Sequence, residues 1–219
     1  MTQPNSSQER QRPTRWYWVR HAPVLGAKSE LYDTPDEPAD LSNASAFAAL
    51  AANLPANAAW ITSDLQRAIQ TADTICAAGQ TPQTRLMDGR IAEQHFGDWF
   101  GQDIKSLSAK RSQQAAHNFW FIDAVTRPTG GESFLDLLAR TALAIDDYNA
   151  RFAGQNIIAI SHGGVIRAAL TIALGLEPDK ALGISVENLS TTRLDYYPGT
   201  GRGGDWRTVF MNARPIAKA

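Results

Sequence analysis

The sequence predicts an α/β protein, three layers deep, with helices on both faces of a mostly parallel central sheet. Three observations predict it. Short apolar runs recur along the chain, at Trp16 to Val19, Ala59 to Thr62 and Ile157 to Ile160, and Thr84 to Met87 could be a further short strand. Stretches with helical spacing separate them, as in chains built from strand–helix–strand units. The two strongest runs end abruptly in Arg20-His21 and Ser161-His162, on the edge where open α/β sheets bind their ligands. Periodicity alone does not separate such a run from a buried helix segment.

The elements follow in order. Residues 1–14 are polar and read as a flexible tail, and 15–219 as one domain. After the first run, Pro23 prevents continuation inside a sheet, and a loop rich in Pro, Asp and Gly lies over the strand edge. Ser45 to Leu54 is helical, with Pro55 just past its end. After the second strand, Ser63 or Asp64 can cap a helix. Leu65, Ala68, Ile69, Ala72 and Ile75 of that helix recur at the spacing that faces a sheet. Residues 90–103 form a glycine-broken loop, and Ile104 to Ala116 a helix. Phe119 to Ile122 is an aromatic cluster read as packing, and His117 as solvated. A turn at 127–133 starts a long helix reaching about Phe152, with Ser133 as a possible cap. A helix from Gly164 to Leu174 follows the Ile157 strand. Asn188 to Tyr196 and Trp206 to Met211 form antiparallel strands at a sheet edge.

Composition narrows the function. The chain has 219 residues, 43% hydrophobic and 20% charged, long enough to bury roughly 70% of its unfolded surface. A formal net charge of -1 gives no global attraction to nucleic acid or to an anionic membrane. No run approaches the ~18 apolar residues of a membrane helix. Cys76 is the single cysteine, which excludes an internal disulfide and a cysteine metal cluster and fits a reducing, cytoplasmic compartment.

Anion chemistry is therefore local. Arg20 beside His21 suits a phosphate: guanidinium forks onto phosphate oxygens, and neutral imidazole can attack phosphorus. The alternative is a surface pair that merely closes a strand. Arg67, in the first turn of a helix, opposes the helix dipole and gains a purpose if that turn holds an anion; otherwise it is an exposed arginine. The turn Ser161-His162-Gly163-Gly164 joins a strand to a helix N-terminus, a natural anion seat. Glu93 sits among apolar and aromatic neighbours, surroundings that can raise a carboxyl pKa as a general acid requires, or it is a solvated loop glutamate. His95 could line a pocket, whose size depends on loops near Tyr32, His95, Trp99 and Phe119 to Phe121.

These residues resemble the histidine phosphatase superfamily, also called phosphoglycerate mutase-like. Arg20-His21-Ala22 stands where that family has Arg-His-Gly. Ser63 to Ala72 matches Ser-x-Leu-x-Arg-Ala-x-Gln-Thr-Ala. Glu93, Gly97 and Trp99 match Glu-x-x-x-Gly-x-Trp. Gly130 to Ser133 matches Gly-Gly-Glu-Ser, and Ser161 to Gly164 matches Ser-His-Gly-Gly. Each is weak alone; in order they are specific. Ala22 and Pro23 depart from the usual residues after the first histidine. Val24 to Ala27 offers no counterpart to the family's asparagine, and Phe100 stands where Glu is common.

The resemblance implies a phosphomonoesterase with His21, Glu93 and His162 as catalytic residues and Arg20, Arg67, His162 and Gly163 binding phosphate. His21 would form a phosphohistidine, a protonated His162 would help hold the oxygens, and Glu93 would protonate the leaving oxygen. It implies no metal and no cofactor, and as partner a phosphorylated small molecule, such as α-ribazole 5'-phosphate. The short path from Asn118 to Ser133 favours hydrolysis over mutase-type transfer. Mutase activity, or a catalytically silent phosphate-binding scaffold, are the alternatives. Oligomeric state is not readable, a homodimer being one option.

Overall fold

A computed structural model describes the protein over residues 12–25, 34–103, 107, 117–199 and 202–216. Six strands form one sheet: β1 (Thr14–Arg20), β2 (Ala58–Thr62), β3 (Thr84–Met87), β4 (Asn156–Ser161), β5 (Thr191–Tyr196) and β6 (Trp206–Ala213). Their order is β3-β2-β4-β1-β5-β6. The β1–β4, β2–β4 and β2–β3 pairs are parallel, and β5 runs antiparallel to β1 and β6. The helices are α1 (Ala44–Asn53), α2 (Gln66–Ala77), α3 (Phe134–Arg151), α4 (Gly163–Leu174) and α5 (Pro178–Leu182).

Alternation along the central strands makes the layers. Trp16, Trp18, Ile157 and Ala159 pack with Leu137, Ile145, Val165, Ile166 and Leu170 of α3 and α4. Val19, Trp60, Ile158 and Ile160 pack on the other face with Phe47, Leu50, Ala68, Ala72 and Ile75 of α1 and α2. Full burial of such a side chain contributes about 1.5–3 kcal/mol, so both helix layers are anchored on β1 and β4. Trp16 adds a buried hydrogen bond, its Nε1–H donating to Asn149 Oδ1 at 2.8 Å.

The long helix α3 starts where its sequence signals it. Ser133 Oγ accepts from the Asp136 N–H at 3.2 Å, while Asp136 Oδ2 accepts from the Ser133 N–H at 2.8 Å, a reciprocal cap. Helix α4 ends at Gly175, φ +60°, a left-handed position that glycine adopts without strain.

Several expectations are corrected. Strand β1 begins at Thr14, one residue into the stretch read as tail. Helix α2 begins at Gln66 with no side-chain cap: the Ser63 hydroxyl accepts from Leu65 N–H at 3.1 Å and is engaged elsewhere. Strand β5 starts at Thr191 rather than Asn188, because Leu189 adopts φ +58° and the Ser190 N–H closes a turn onto Glu187 O. Helix α5 was not anticipated; Pro178 opens it. The expected helix 104–116 lies, apart from Leu107, outside the described residues. No described helix is long and apolar enough to cross a membrane.

Candidate active site

Strand register brings the two histidines together. Arg20 pairs with Ser161 across the β1–β4 ladder, so His21 and His162 are the next residues on adjacent parallel strands. The His21 N–H donates to Ser161 O at 2.9 Å, and the two imidazole centroids lie 4.9 Å apart at 55°. Both rings are buried. From neighbouring β2, the Ser63 hydroxyl lies 2.8 Å from His162 Nε2.

Arg67 resolves against the exposed alternative. It is 1% exposed, its Nε donates to His21 Nε2 at 3.3 Å and its Nη1 to Pro35 O at 2.8 Å. That geometry sets the His21 tautomer. A carbonyl only accepts, so the contact of Nδ1 with Ala22 O at 2.6 Å puts the ring proton on Nδ1. Nε2 then carries the lone pair, facing the Arg67 guanidinium. Arg20 reaches the same place from β1: its Nη1 donates to Val186 O at 2.5 Å, and its buried Nε has no partner among the described residues. Ala22 fits the turn because its side chain is fully buried, while its N–H donates to Thr71 Oγ1 at 2.9 Å.

Burial, followed by the Arg67 and Arg20 charges, holds the His21 pKa well below the ordinary histidine value. The ring is neutral near pH 7. His162 is likewise held well below it, by burial first and then by Arg67, His21, Arg20 and Arg140. With only the protein's own groups around it, that imidazole is neutral; the protonated His162 that the resemblance implies belongs to the oxyanion-bound site. Its Nδ1 is buried and has no partner among the described residues.

Glu93 is half-buried on the loop between β3 and α3. Its two carboxylate oxygens accept from the Gly164 N–H at 3.2 and 3.3 Å, and Oε1 also accepts from the Gln94 N–H at 3.0 Å. The first turn of α4 thus spends an amide on the acid. Only glycine allows it: a Cβ on Gly164 would overlap Glu93 Oε1 and stand 2.9 Å from Leu137 Cδ2. Gly163 lies between two cations, its missing Cβ 3.5 Å from Arg167 Nη1 and 3.7 Å from Arg20 Nε.

The Gly130–Ser133 turn holds this acid loop in place. Arg140 forks onto Glu132 with Nε–Oε1 2.8 Å and Nη2–Oε2 2.9 Å, and also donates to the carbonyls of Arg90 and Glu93 at 2.8 and 3.0 Å. Glu132 in turn accepts from the His95 N–H at 3.0 Å. A Cβ on Gly131 would stand 2.5 Å from His95 O, so the two segments touch backbone to backbone. Ser161 Oγ donates to Ile91 O at 2.7 Å, tying the loop to the end of β4.

A cavity of about 960 Å³ opens over these groups. Arg20, Arg67, Glu93 and Arg167 line its charged part, and Phe96, Phe100, Phe119, Trp120 and Phe121 its outer wall. His21 and His162 are fully buried and do not line it. The 119–121 aromatics, more often packing in such a cluster but placed near the pocket by the sequence, form this wall, and Phe119 is 73% exposed. His117, expected to be solvated, shapes the wall: its Nδ1 accepts from the Phe119 and Trp120 N–H groups at 3.1 and 2.9 Å, and its Nε2–H donates to Asp179 O at 2.8 Å. His95 does line the cavity. Tyr32 lies outside the described residues.

Two lining residues escaped the sequence reading. Arg167 is 9% exposed, donates from Nε to Ile184 O at 2.9 Å and lies 4.5 Å over the Trp120 ring. Its spacing from Gly163, one helical turn on the same face, was the available signal. Asn188 donates from Nδ2 to His21 O at 2.8 Å; nothing in its local sequence marks it.

A parallel sheet whose adjacent strand ends present two imidazoles, ringed by arginines and one carboxylate, defines a class of phosphate-handling α/β proteins. The histidine phosphatase superfamily (branch 1) matches residues 16–209, and the chain belongs to that superfamily. A glucosyl-3-phosphoglycerate phosphatase from Mycolicibacterium vanbaalenii is 30% identical over 167 residues, covering 70% of this chain and 72% of the relative. The solved structure of a mycobacterial glucosyl-3-phosphoglycerate phosphatase superposes with a TM-score of 0.75 at 24% identity, covering 92% of this chain and all of that one. A putative α-ribazole-5'-P phosphatase from Escherichia coli gives 0.72 at 20% identity, covering 94% and 99%. Likeness at these identities shows the shared fold.

Proposed function

We propose that the protein is a phosphomonoesterase that hydrolyses a small phosphorylated metabolite through a phosphohistidine on His21. The observation that carries this reading is the His21 tautomer: the Nδ1–H is committed to Ala22 O, leaving the Nε2 lone pair beside Arg67. Arg20 and Arg67, with Gly163 and His162, hold the phosphoryl oxygens and stabilise the charge that spreads over them in the transition state. Glu93 donates a proton to the leaving oxygen, then accepts one from the water that cleaves the phosphohistidine. No step requires a metal, because the cationic groups supply the charge.

The cavity is large for a leaving group of a few atoms, and its aromatic wall suits a bulky, flat one, as in α-ribazole 5'-phosphate. One observation favours a second reading of the substrate. Arg167 is nearly buried, takes part in no ion pair among the described residues, and is influenced by the Glu93 charge. A carboxylate close to the ester oxygen, as in the glucosyl-3-phosphoglycerate named in the relatives above, would pair with it.

The test is turnover of an aryl phosphate by the purified protein, with and without chelator. Phosphate release that survives chelation and disappears in His21→Ala is expected, with an acid-labile phosphoenzyme trapped during turnover. Metal-dependent release, or release undiminished by His21→Ala, overturns the mechanism.

A further inference from the structure

His117 ties the aromatic wall of the cavity to α5. Its Nδ1 accepts from the N–H groups of Phe119 and Trp120, two and three residues on, at 3.1 and 2.9 Å. Its Nε2–H donates to Asp179 O at 2.8 Å. A carbonyl only accepts and an amide N–H only donates, so the ring in this geometry carries one proton, on Nε2, and a lone pair on Nδ1. The same residue of α5 takes the other end of the segment, Asp179 Oδ1 accepting from the Ala124 N–H at 2.7 Å. Residues 117–124 form a strap fastened at both ends to Asp179. Between the fastenings, Phe119 lies against Gly183, whose missing Cβ would stand 3.1 Å from Phe119 Cδ2, and Trp120 lies 4.5 Å from the Arg167 guanidinium.

We propose that His117 is a positioning residue for the leaving-group wall, and that acidification releases the Phe119–Trp120 end of the strap and with it the preference of the site for bulky, flat groups. The inference rests on the phosphatase reading only for which part of a substrate meets the wall. Protonation puts a hydrogen on Nδ1, and the imidazolium has no lone pair for either amide. Three donors then converge where one acceptor stood, and the two amides turn to water instead. The Ala124 fastening contains no imidazole, so release is confined to the end that carries Phe119 and Trp120.

The charged groups around this latch are Asp179 and Lys180 on α5, Asp123 near the far end of the strap and Arg167 of α4 beside Trp120. Asp179 meets His117 through its backbone carbonyl, while its carboxylate is turned to Ala124. Asp123 Oδ1 accepts from the Thr126 N–H, and Arg167 donates to Ile184 O. None of these contacts offers an imidazolium at 117 a carboxylate in the fastened geometry. His95 is the other histidine of the cavity rim, and its Nδ1 accepts from the Gly97 N–H at 3.1 Å, so the test must separate the two.

The probes are 1-naphthyl sulfate and ethyl sulfate, which keep a single negative charge from about pH 5 to pH 8, the interval in which imidazole changes charge. The ratio of their dissociation constants, measured by calorimetry, cancels whatever the buried histidines contribute to both. The advantage of the naphthyl ester is expected to fall about fivefold or more from pH 8 to pH 5, the scale of one or two lost hydrogen bonds. In NMR the Phe119 and Trp120 amide resonances should move on the same curve as the His117 ring protons. His117→Asn supplies an oxygen that accepts from following amides without titrating, and should keep the advantage at both ends of the range. His117→Ala should lack it at both, and His95→Asn should leave the pH dependence in place. A ratio that does not change with pH, a change retained in His117→Asn, or amides that do not follow the ring overturns the inference while leaving the phosphatase reading intact. Failure of both esters to bind overturns it too, and aryl phosphate turnover then decides separately whether the phosphatase reading survives.

Discussion

Arg67 Nε donates to His21 Nε2 at 3.3 Å, so the nitrogen assigned to attack phosphorus is held by the cation assigned to receive the phosphoryl oxygens. The contact fixes the ring orientation and suppresses its protonation. It must be exchanged for an Arg67–phosphoryl contact before attack. Arg67→Gln should therefore lower kcat about 10²–10³-fold, the loss typical of one oxyanion donor. The His21 ring should also titrate at higher pH, because a neighbouring positive charge that depresses its pKa has gone. Steady-state kinetics and imidazole proton shifts in NMR check the two halves; an unchanged His21 titration contradicts the electrostatic account.

Gly164→Ala tests the acid. Its Cβ would occupy the place of Glu93 Oε1, displacing the carboxylate while leaving the arginines untouched. Turnover should fall about 10²-fold or more, the scale of general acid catalysis. The loss should shrink for aryl phosphates with strongly acidic leaving groups, which need no proton. A uniform loss across leaving groups would assign the effect to binding instead.

The Arg140–Glu132 fork predicts a different signature. Arg140→Lys keeps the charge but cannot donate bidentately to Glu132 or bridge the Arg90 and Glu93 carbonyls. Stability should drop by about 1–3 kcal/mol in urea unfolding, and kcat should fall with KM nearly unchanged, since the acid loses its support. Full activity in Arg140→Lys would show that the Gly164 and Gln94 amides suffice to hold Glu93.

Acid lability follows from the two depressed histidines. Both are held below the unfolded value near 6.5, so below that pH the unfolded chain binds protons that the native chain refuses. Stability contributed by each neutral ring is complete above about pH 6.5. It should decline by about 1.4 kcal/mol per pH unit per histidine as pH falls from there toward the lower native values. Urea midpoints from pH 7.5 to 5 measure this, and His162→Gln should halve the slope.

Arg167→Leu separates the two substrate readings. For a phosphomonoester bearing a carboxylate near the ester oxygen, KM should rise about tenfold or more, as expected for a lost charged hydrogen bond of 1.5–3 kcal/mol. A neutral aryl phosphate should be affected little. Equal effects on both would place Arg167 on the phosphoryl group.

Much of this was present in the one-dimensional chain. The apolar runs located β1, β2 and β4 because strands in the middle of a covered sheet must be largely apolar, and Gly, Pro and Ser punctuation located the helices. His21 and His162, with Arg20 and Arg67, were legible as candidates because they sit at strand ends and helix starts, where local patterns break, and Glu93 because it lies in a glycine-broken loop among aromatic neighbours. What the chain alone did not reveal depends on neighbours distant in sequence. Arg67 could not be told from a surface arginine until α2 packed it beneath Pro35. The neutral state of His162 comes first from burial and then from His21 and arginines on three other elements. Asn188 and the aromatic wall around Phe119 to Phe121 owe their position to turns with no periodic signature, and Ser63, read as a helix cap, was assigned to His162 by the β2–β4 register. Residue identity determined which groups could do the chemistry. Tertiary structure decided their protonation and their partners, because desolvation and Coulomb energy depend on separations in space that sequence spacing does not encode.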